Sequence, residues 1–361
     1  MKRTRGRVVN VETLAELDDR LAAGATTLRG WRIREVDLSG RHDALARVRL
    51  AGATFLGCTF APGDEAMVRA AGALVLPATP ETPVDTAREA LYTPEELYDD
   101  LDYPGSLDAR AYAWSQRPST REKALARALH DHAIDLALES WIEGRHLVGV
   151  MGRHTADRGD PTFTEAARLG SALGATRVVA TGGGPGAMEA ANLGAWLAHR
   201  PDALEEALSM LTAVPSYRPS IGAWAERAFE VLARFPDGVE SLGIPTWHYG
   251  HEPPNVFATA IAKYFRNSTR EATLLEICDA GIVFLPGAGG TVQEVFQDAC
   301  ENYYADESSI APMVLVGARY WTEDLPAWPL LSRLARGRPM ADHIHLVDSW
   351  QEAANLFVSG T

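Results

Sequence analysis

"GIVFLPGAGGTVQEVFQDA", residues 281–299, is the stretch whose reading decides the fold. An apolar run ends at Pro286, the small residues Gly287, Ala288, Gly289 and Gly290 follow, and a helical pattern opens at Thr291. A short buried strand passing through a glycine turn straight into a helix is the repeating unit of a parallel sheet. Working outward, the same unit recurs. Short apolar or β-branched runs lie at 146–151, 177–181, 239–244, 281–286, 313–317 and 344–348. Helical patterns fall between them at 162–173, 186–198, 220–234, 255–264, 270–278, 291–304 and 349–358. This alternation predicts right-handed crossovers and a doubly wound, Rossmann-like α/β domain over residues 141–361, with ligands beyond the carboxyl ends of the strands.

Residues 1–140 have a different character and predict a smaller, mixed accessory domain. It opens with a short helix at about 11–23, passes through the Pro-rich "LPATPETPVD" (76–85), and ends in an Ala/Leu-rich helical run at 120–143. Within it, "RLAGATFLGCTFAPG" (49–63) spaces Leu50, Phe55 and Phe60 five residues apart, with small residues between. Two readings stand side by side: a coil or two of a pentapeptide-type β-solenoid, or a few irregular strands packed on the main domain.

The bulk composition narrows the function classes. Of 361 residues, 34 are Lys or Arg and 48 are Asp or Glu, a net charge of −14 that opposes generalised attraction to nucleic acid. Any anionic ligand must therefore be held locally. Cys58, Cys278 and Cys300 make neither a disulfide framework nor a metal spacing, and neither a leader-like apolar run nor a bilayer-spanning one is present, so a cytoplasmic protein is expected. The "HDH" at 130–132 and "HIH" at 343–345 lack partners at ligand spacing, so no metal site is expected. The lysines are Lys2, Lys123 and Lys263, and no Gly-Lys pair exists, which excludes a Walker A loop.

Three glycine turns therefore carry the site: Gly152 after the first run, Gly182, Gly183, Gly184 and Gly186 after the second, and Gly287, Gly289 and Gly290 in the opening stretch. Glycine lets the backbone approach a ligand, and the unpaired N–H groups of the following helix, aligned with its dipole, hold phosphate without any lysine. Gly182, Gly184 and Ala187 also fit a loose dinucleotide pattern, but the turn follows the second strand and lacks an acidic residue closing another strand about 20 positions on, so no nicotinamide or flavin cofactor is expected. Thr291 and Glu294 have the spacing of a capping box, which any soluble helix uses. Their place at the binding edge offers a second role.

With these residues assembled, the chain resembles the Lonely Guy family of nucleoside 5′-monophosphate phosphoribohydrolases, also labelled lysine decarboxylases. Pro286, Gly287, Gly289 or Gly290, Thr291 and Glu294 match the family's P-G-G-x-G-T-x-x-E motif, with Ala288 where its second glycine is expected. "TGGGPGAMEAANLGA" and "HEPPN" are similar to the larger bacterial purine/pyrimidine nucleotide nucleosidases of the superfamily. The resemblance spans roughly 145–320 and implies hydrolysis of a nucleoside monophosphate to free base and ribose 5-phosphate, with Glu294 and Arg270 catalytic, Arg266 the fallback arginine, and no cofactor. Thr291 and the glycines would hold the 5′-phosphate, Met188 would stand against the base or in the core, and a homo-oligomer is implied. Candidates of lesser weight are Arg153 and His154 beside the phosphate, and His248, Tyr249, His251 and Asn255 as either base readers or a structural loop. A different class stays open. Related α/β domains carry molybdenum cofactor or sense nucleotide-derived signals without catalysis, and these would not need Glu294 or Arg270.

Overall fold

The computed structural model describes residues 9–78, 81–248 and 252–358. The chain forms two compact units, Met1–Thr82 with Pro118–Ala126, and Pro83–Arg117 with Arg127–Thr361.

In the first unit, strands β1 (Val9–Val11), β2 (Trp31–Arg34), β3 (Thr54–Leu56) and β4 (Leu74–Leu76) form a parallel sheet in chain order. Val9 pairs with Trp31 and Arg32 with Thr54, one coil of 22 residues in each case, and Thr54 pairs with Leu74 after 20. Short helices, Leu14–Ala22, His42–Ala46 and Asp64–Ala70, lie between successive strands. Leu17, Leu28, Ile33, Leu45, Phe55 and Val68 fill the core of this stack, with Leu50 inside and Phe60 packed against it. The five-residue spacing noted in the sequence is thus the spacing of inward positions around one coil. The strands are regular and in register, not irregular, because each coil repeats its hydrogen bonds on the next.

The second unit is built on strands β5 (Leu147–Met151), β6 (Val178–Thr181), β7 (Ser241–Gly243), β8 (Ala260–Ile261), β9 (Gly281–Phe284), β10 (Met313–Val316) and β11 (Ile344–Val347). Their order is β11-β10-β9-β5-β6-β7-β8 and every pairing is parallel, so the expected Rossmann-like α/β architecture is the observed one. The central strands β5 and β9 are buried throughout, as continuous apolar runs should be between two layers of helices.

The run 255–264 departs from expectation, holding not a helix but an extended segment that contains β8. Its residues Val256, Phe257, Ala258, Ala260, Ile261, Ala262 and Tyr264 are all buried, and apolar residues set this densely show no clean period that separates helix from strand. Helices Leu204–Leu211 and Trp328–Ala335 also lie outside the patterns read from sequence. Residues 83–117 and 127–140, placed with the N-terminal domain on composition, cluster with the large sheet. Tyr92 bridges Ile261 at the β8 edge, and the buried Asp108 accepts from Trp247 Nε1 (2.8 Å) and pairs with Lys263 (2.5 Å). The composition shift near 140 marks the end of a helix, whereas the packing boundary falls in the Pro-rich stretch.

Helices Pro161–Gly174 and Ala187–Trp196 cross in near backbone contact behind the sheet's first crossover. A Cβ on Gly194 would stand 1.8 Å from Ala167 O and 2.6 Å from Ser171 N. Backbone cannot swing aside as a side chain can, so Gly194→Ala is expected to cost about 2 kcal/mol in urea denaturation. An unchanged midpoint would show that the two helices separate freely.

Candidate functional site

From β5, the strands β6–β8 extend in one direction and β9–β11 in the other, so the chain reverses between β5 and β9. Crevices at such reversals, beyond the carboxyl ends of the strands, are where open α/β sheets bind ligands. The three glycine turns follow β5, β6 and β9 and meet there. Ala187 N donates to Arg153 O (3.1 Å), tying the second turn to the first, and Arg153 Nε donates to Pro286 O (3.4 Å), tying the first to the third. Gly152 packs close to Ala187 and Leu285.

The turn Gly182–Gly186 is itself buried, and the protein uses much of its polarity internally. Gly183 N donates to Thr181 Oγ1 (3.0 Å), and Thr181 Oγ1 donates to Asn192 Oδ1 (2.7 Å). Asn255 N donates to Gly183 O (2.8 Å), while its amide donates to Gly184 O (3.1 Å) and Asn192 Oδ1 (3.0 Å). Gly186, at φ 74°, sits where a Cβ would meet Arg153 O at 2.6 Å, so only glycine fits. Asn255 is fully buried and braces this turn, which removes it as a base reader. Met188, also buried, lies over Gly182 and Gly184.

The third turn is open. The helix Gly289–Tyr304 starts after Ala288, which makes no side-chain cap. Thr291 is therefore the third helical residue, buried against Gly287, and the capping box suggested by its spacing to Glu294 does not form. Gly289 and Gly290 are exposed, with open space where their Cβ atoms would be, so the first amides of a 16-residue helix face an accessible gap. Tyr320 OH donates to Gly287 O from the other side and fixes the turn.

Glu294 leaves this helix toward Arg270, whose Nη1 stands 3.9 Å from Glu294 Oε1. Arg270 Nε donates to Ile244 O (2.6 Å) and Nη2 to Gly182 O (3.3 Å), so the guanidinium is pinned between the second turn and the carboxylate. Arg266 caps the helix Asn267–Glu276 with its side chain exposed; of the two arginines, Arg270 is the one that reaches Glu294. Asp131 braces that helix start by accepting from Phe265 N and Arg266 N, each at 2.9 Å, which gives the "HDH" motif a structural task. Burial pushes the Glu294 carboxyl up to about 7; Arg270 pulls it down, and Glu271 and Glu252 push it further up. A carboxylate so poised is half ionised near neutrality.

Pro254 O accepts from Tyr98 OH (2.7 Å), and Glu252 Oε1 stands 3.5 Å from His154 Nδ1. His248 is exposed; Tyr249 and His251 lie outside the described residues.

The sequence reading missed the residues that hold the turns. Arg158 and Glu189 form a buried ion pair (2.5 Å), and Arg158 also donates to Val214 O (3.2 Å) and Trp224 O (3.0 Å). Burial pushes the Glu189 carboxyl up while Arg158 pulls it down. Polar residues set in otherwise apolar stretches, Glu189 and Asn192 in "AMEAANLGAW", were the available signal.

Among the described residues, no group of three or more His, Cys, Asp or Glu is arranged to hold a metal ion, and no helix is long and apolar enough to cross a membrane. No family model matches the chain, and no curated protein matches it. Solved structures similar to it include the molybdenum cofactor binding protein of the phototrophic bacterium Rippkaea orientalis, at 18% identity over 60% of this chain and 96% of that one, with a TM-score of 0.37. Two structures of the molybdenum cofactor carrier protein of Chlamydomonas reinhardtii are also similar, at 16% and 15% identity over 60% of this chain and 97% and 99% of theirs, with TM-scores of 0.37 and 0.36.

Proposed function

We propose that this protein hydrolyses the N-glycosidic bond of nucleoside 5′-monophosphates, giving free base and ribose 5-phosphate, as the resemblance to the Lonely Guy family implies. The observation that carries the reading is the approach of Arg270 to Glu294 just beyond the open helix start at Gly289 and Gly290. The amides there would take the 5′-phosphate, placing the pentose beside Glu294. Departure of the base leaves oxocarbenium-like positive charge on the sugar, which an ionised Glu294 stabilises while it orients the attacking water. Water supplies hydroxyl to the sugar carbon and, through Glu294, the proton that the base carries away. Arg270, always charged, suits contact with phosphate or departing base better than proton transfer.

The ionised carboxylate is the acting form, and burial holds its pKa at about 7. Base release should therefore fall as pH drops below 7 and level off above it, in a profile of kcat/KM against pH from 5 to 9. A rate that falls as pH rises through 7 would make Glu294 a proton donor instead. A panel of AMP, GMP, IMP, CMP and UMP, followed by mass spectrometry for ribose 5-phosphate, tests the activity itself.

The second reading is a non-catalytic carrier or sensor of a phosphate-bearing ligand, the molybdenum cofactor included. It is supported by the anion-binding amides, which serve equally well without Glu294. Binding without ribose 5-phosphate release from any member of the panel would favour it.

A further inference from the structure

Away from the glycine turns, the large sheet carries a cavity of about 670 Å³ that no step above uses. Leu147, the first residue of β5, and Asp279, two residues before β9, line it, so it lies toward the amino ends of the strands rather than the carboxyl ends. Two helical stripes complete it. The helix Arg121–Ile142 contributes His132, Asp135, Leu136, Glu139 and Ile142, and the helix Asn267–Glu276 contributes Thr269, Thr273 and Glu276, with Ile277 just past its end. Within each set the residues recur three or four apart, so each shares one helical face. Leu138 and Leu147 are buried, Ile142 and Ile277 half-buried, and Leu136 remains 36% exposed, so the lining offers an apolar surface open to solvent.

Its charge is unbalanced. Four carboxylates, Asp135, Glu139, Glu276 and Asp279, line the cavity against Arg145 and His132. Arg145 is already engaged by Glu240 (3.1 Å), by the carbonyl of Trp141 and by the Trp141 ring beneath it. Asp279 pairs with His146 Nδ1 (2.7 Å) and accepts from Leu147 N (2.8 Å), and Asp135 accepts from Tyr264 OH (2.9 Å). Glu139 and Glu276 are exposed, and their carboxylates make neither a hydrogen bond nor an ion pair among the described residues. An apolar slot whose unengaged charges are negative repels anions and complements a cation with an apolar body. Its size selects a small molecule. Ligand pockets run to about 300–1,000 Å³, whereas two turns of a helix about 11 Å across already fill about 1,000 Å³.

We propose that this cavity is a binding site for a small organic cation, an ammonium group on an apolar body, whose charge is met by Glu139 and Glu276 and whose apolar part lies on Leu138, Ile142 and Ile277. The site is independent of the nucleotide reading, and neither stands or falls with the other.

The test titrates the full chain with hexylammonium and octylammonium ions, and with octanoate as the chain of opposite charge, following backbone amide signals by NMR. Octylammonium should shift the amides of Glu139, Ile142, Thr273 and Ile277 and bind about tenfold tighter than hexylammonium, because two further methylenes leave water. Octanoate should leave those signals in place. Glu139→Gln combined with Glu276→Gln, at two exposed positions, should weaken octylammonium about tenfold. Octanoate binding as tightly as octylammonium, or an octylammonium affinity that survives the double substitution, overturns the proposal. So does the failure of both cations to shift these amides. Sedimentation of the ligand-free chain tests the rival occupant: dimers that Leu136→Glu dissociates would place a second copy over the cavity and equally overturn the proposal.

Discussion

Glu294→Gln is expected to lower base release from a nucleoside monophosphate by about 10³-fold while leaving the monophosphate bound. The amide keeps the size and hydrogen-bonding reach of the carboxyl, so the helix start at Gly289 and Gly290 keeps its shape and its amides. What disappears is the negative charge, and only the transition state, with its positive sugar, depends on that charge. Ground-state affinity should stay equal or rise slightly, because one carboxylate fewer repels the incoming phosphate. Single-turnover measurement by mass spectrometry, paired with calorimetric binding, separates the two effects. Normal turnover by the variant would mean that another group activates the water, and Arg270 would then be left without a catalytic partner.

Asp298→Asn is expected to stabilise the protein, and increasingly so with rising pH. Asp298 lies one turn beyond Glu294 on the core side of the helix Gly289–Tyr304, 5% exposed, and its Oδ2 makes no hydrogen bond. Burial pushes its carboxyl up to about 8, with Glu301 adding to the effect. The folded protein therefore keeps a proton that the unfolded chain releases near pH 4. This contribution to stability is full below the unfolded value and is lost as pH climbs toward 8. About four units at about 1.4 kcal/mol each amounts to about 5 kcal/mol, from which the unmet hydrogen bonds of the new amide subtract about 2. The variant should exceed the parent by about 3 kcal/mol at pH 8, and by nothing or less at pH 4.5, in urea titrations. Parallel pH dependences in the two proteins would show that Asp298 is hydrated or paired in solution. Glu294 titrates in both and cancels from the comparison.

The origin of a buried, unpaired acid on this helix was invisible in the sequence. Thr291, Val295, Asp298 and Asn302 recur at helical spacing, and a polar residue on such a stripe cannot be assigned to core or surface until the neighbouring layer is placed. The same limit hid the fate of Asn255, whose loop position suggested a ligand contact and whose amide instead holds Gly184 and Asn192. It also hid β8, since a run this dense in apolar residues shows no single face.

What the sequence determined by itself was local and periodic: the alternation of apolar strands with helices that makes a parallel α/β sheet, and the three glycine turns at its binding edge. These follow from side-chain pattern and backbone freedom over a few residues, so they need no partner to be read. The packing of residues 83–117 against the large sheet, the approach of Arg270 to Glu294, the burial that brings Glu294 near neutrality and the closure of the Gly182–Gly186 turn against its own hydrogen bonds were decided only by tertiary structure. Each depends on which distant segments meet, and dielectric surroundings and hydrogen-bond partners exist only once they have met.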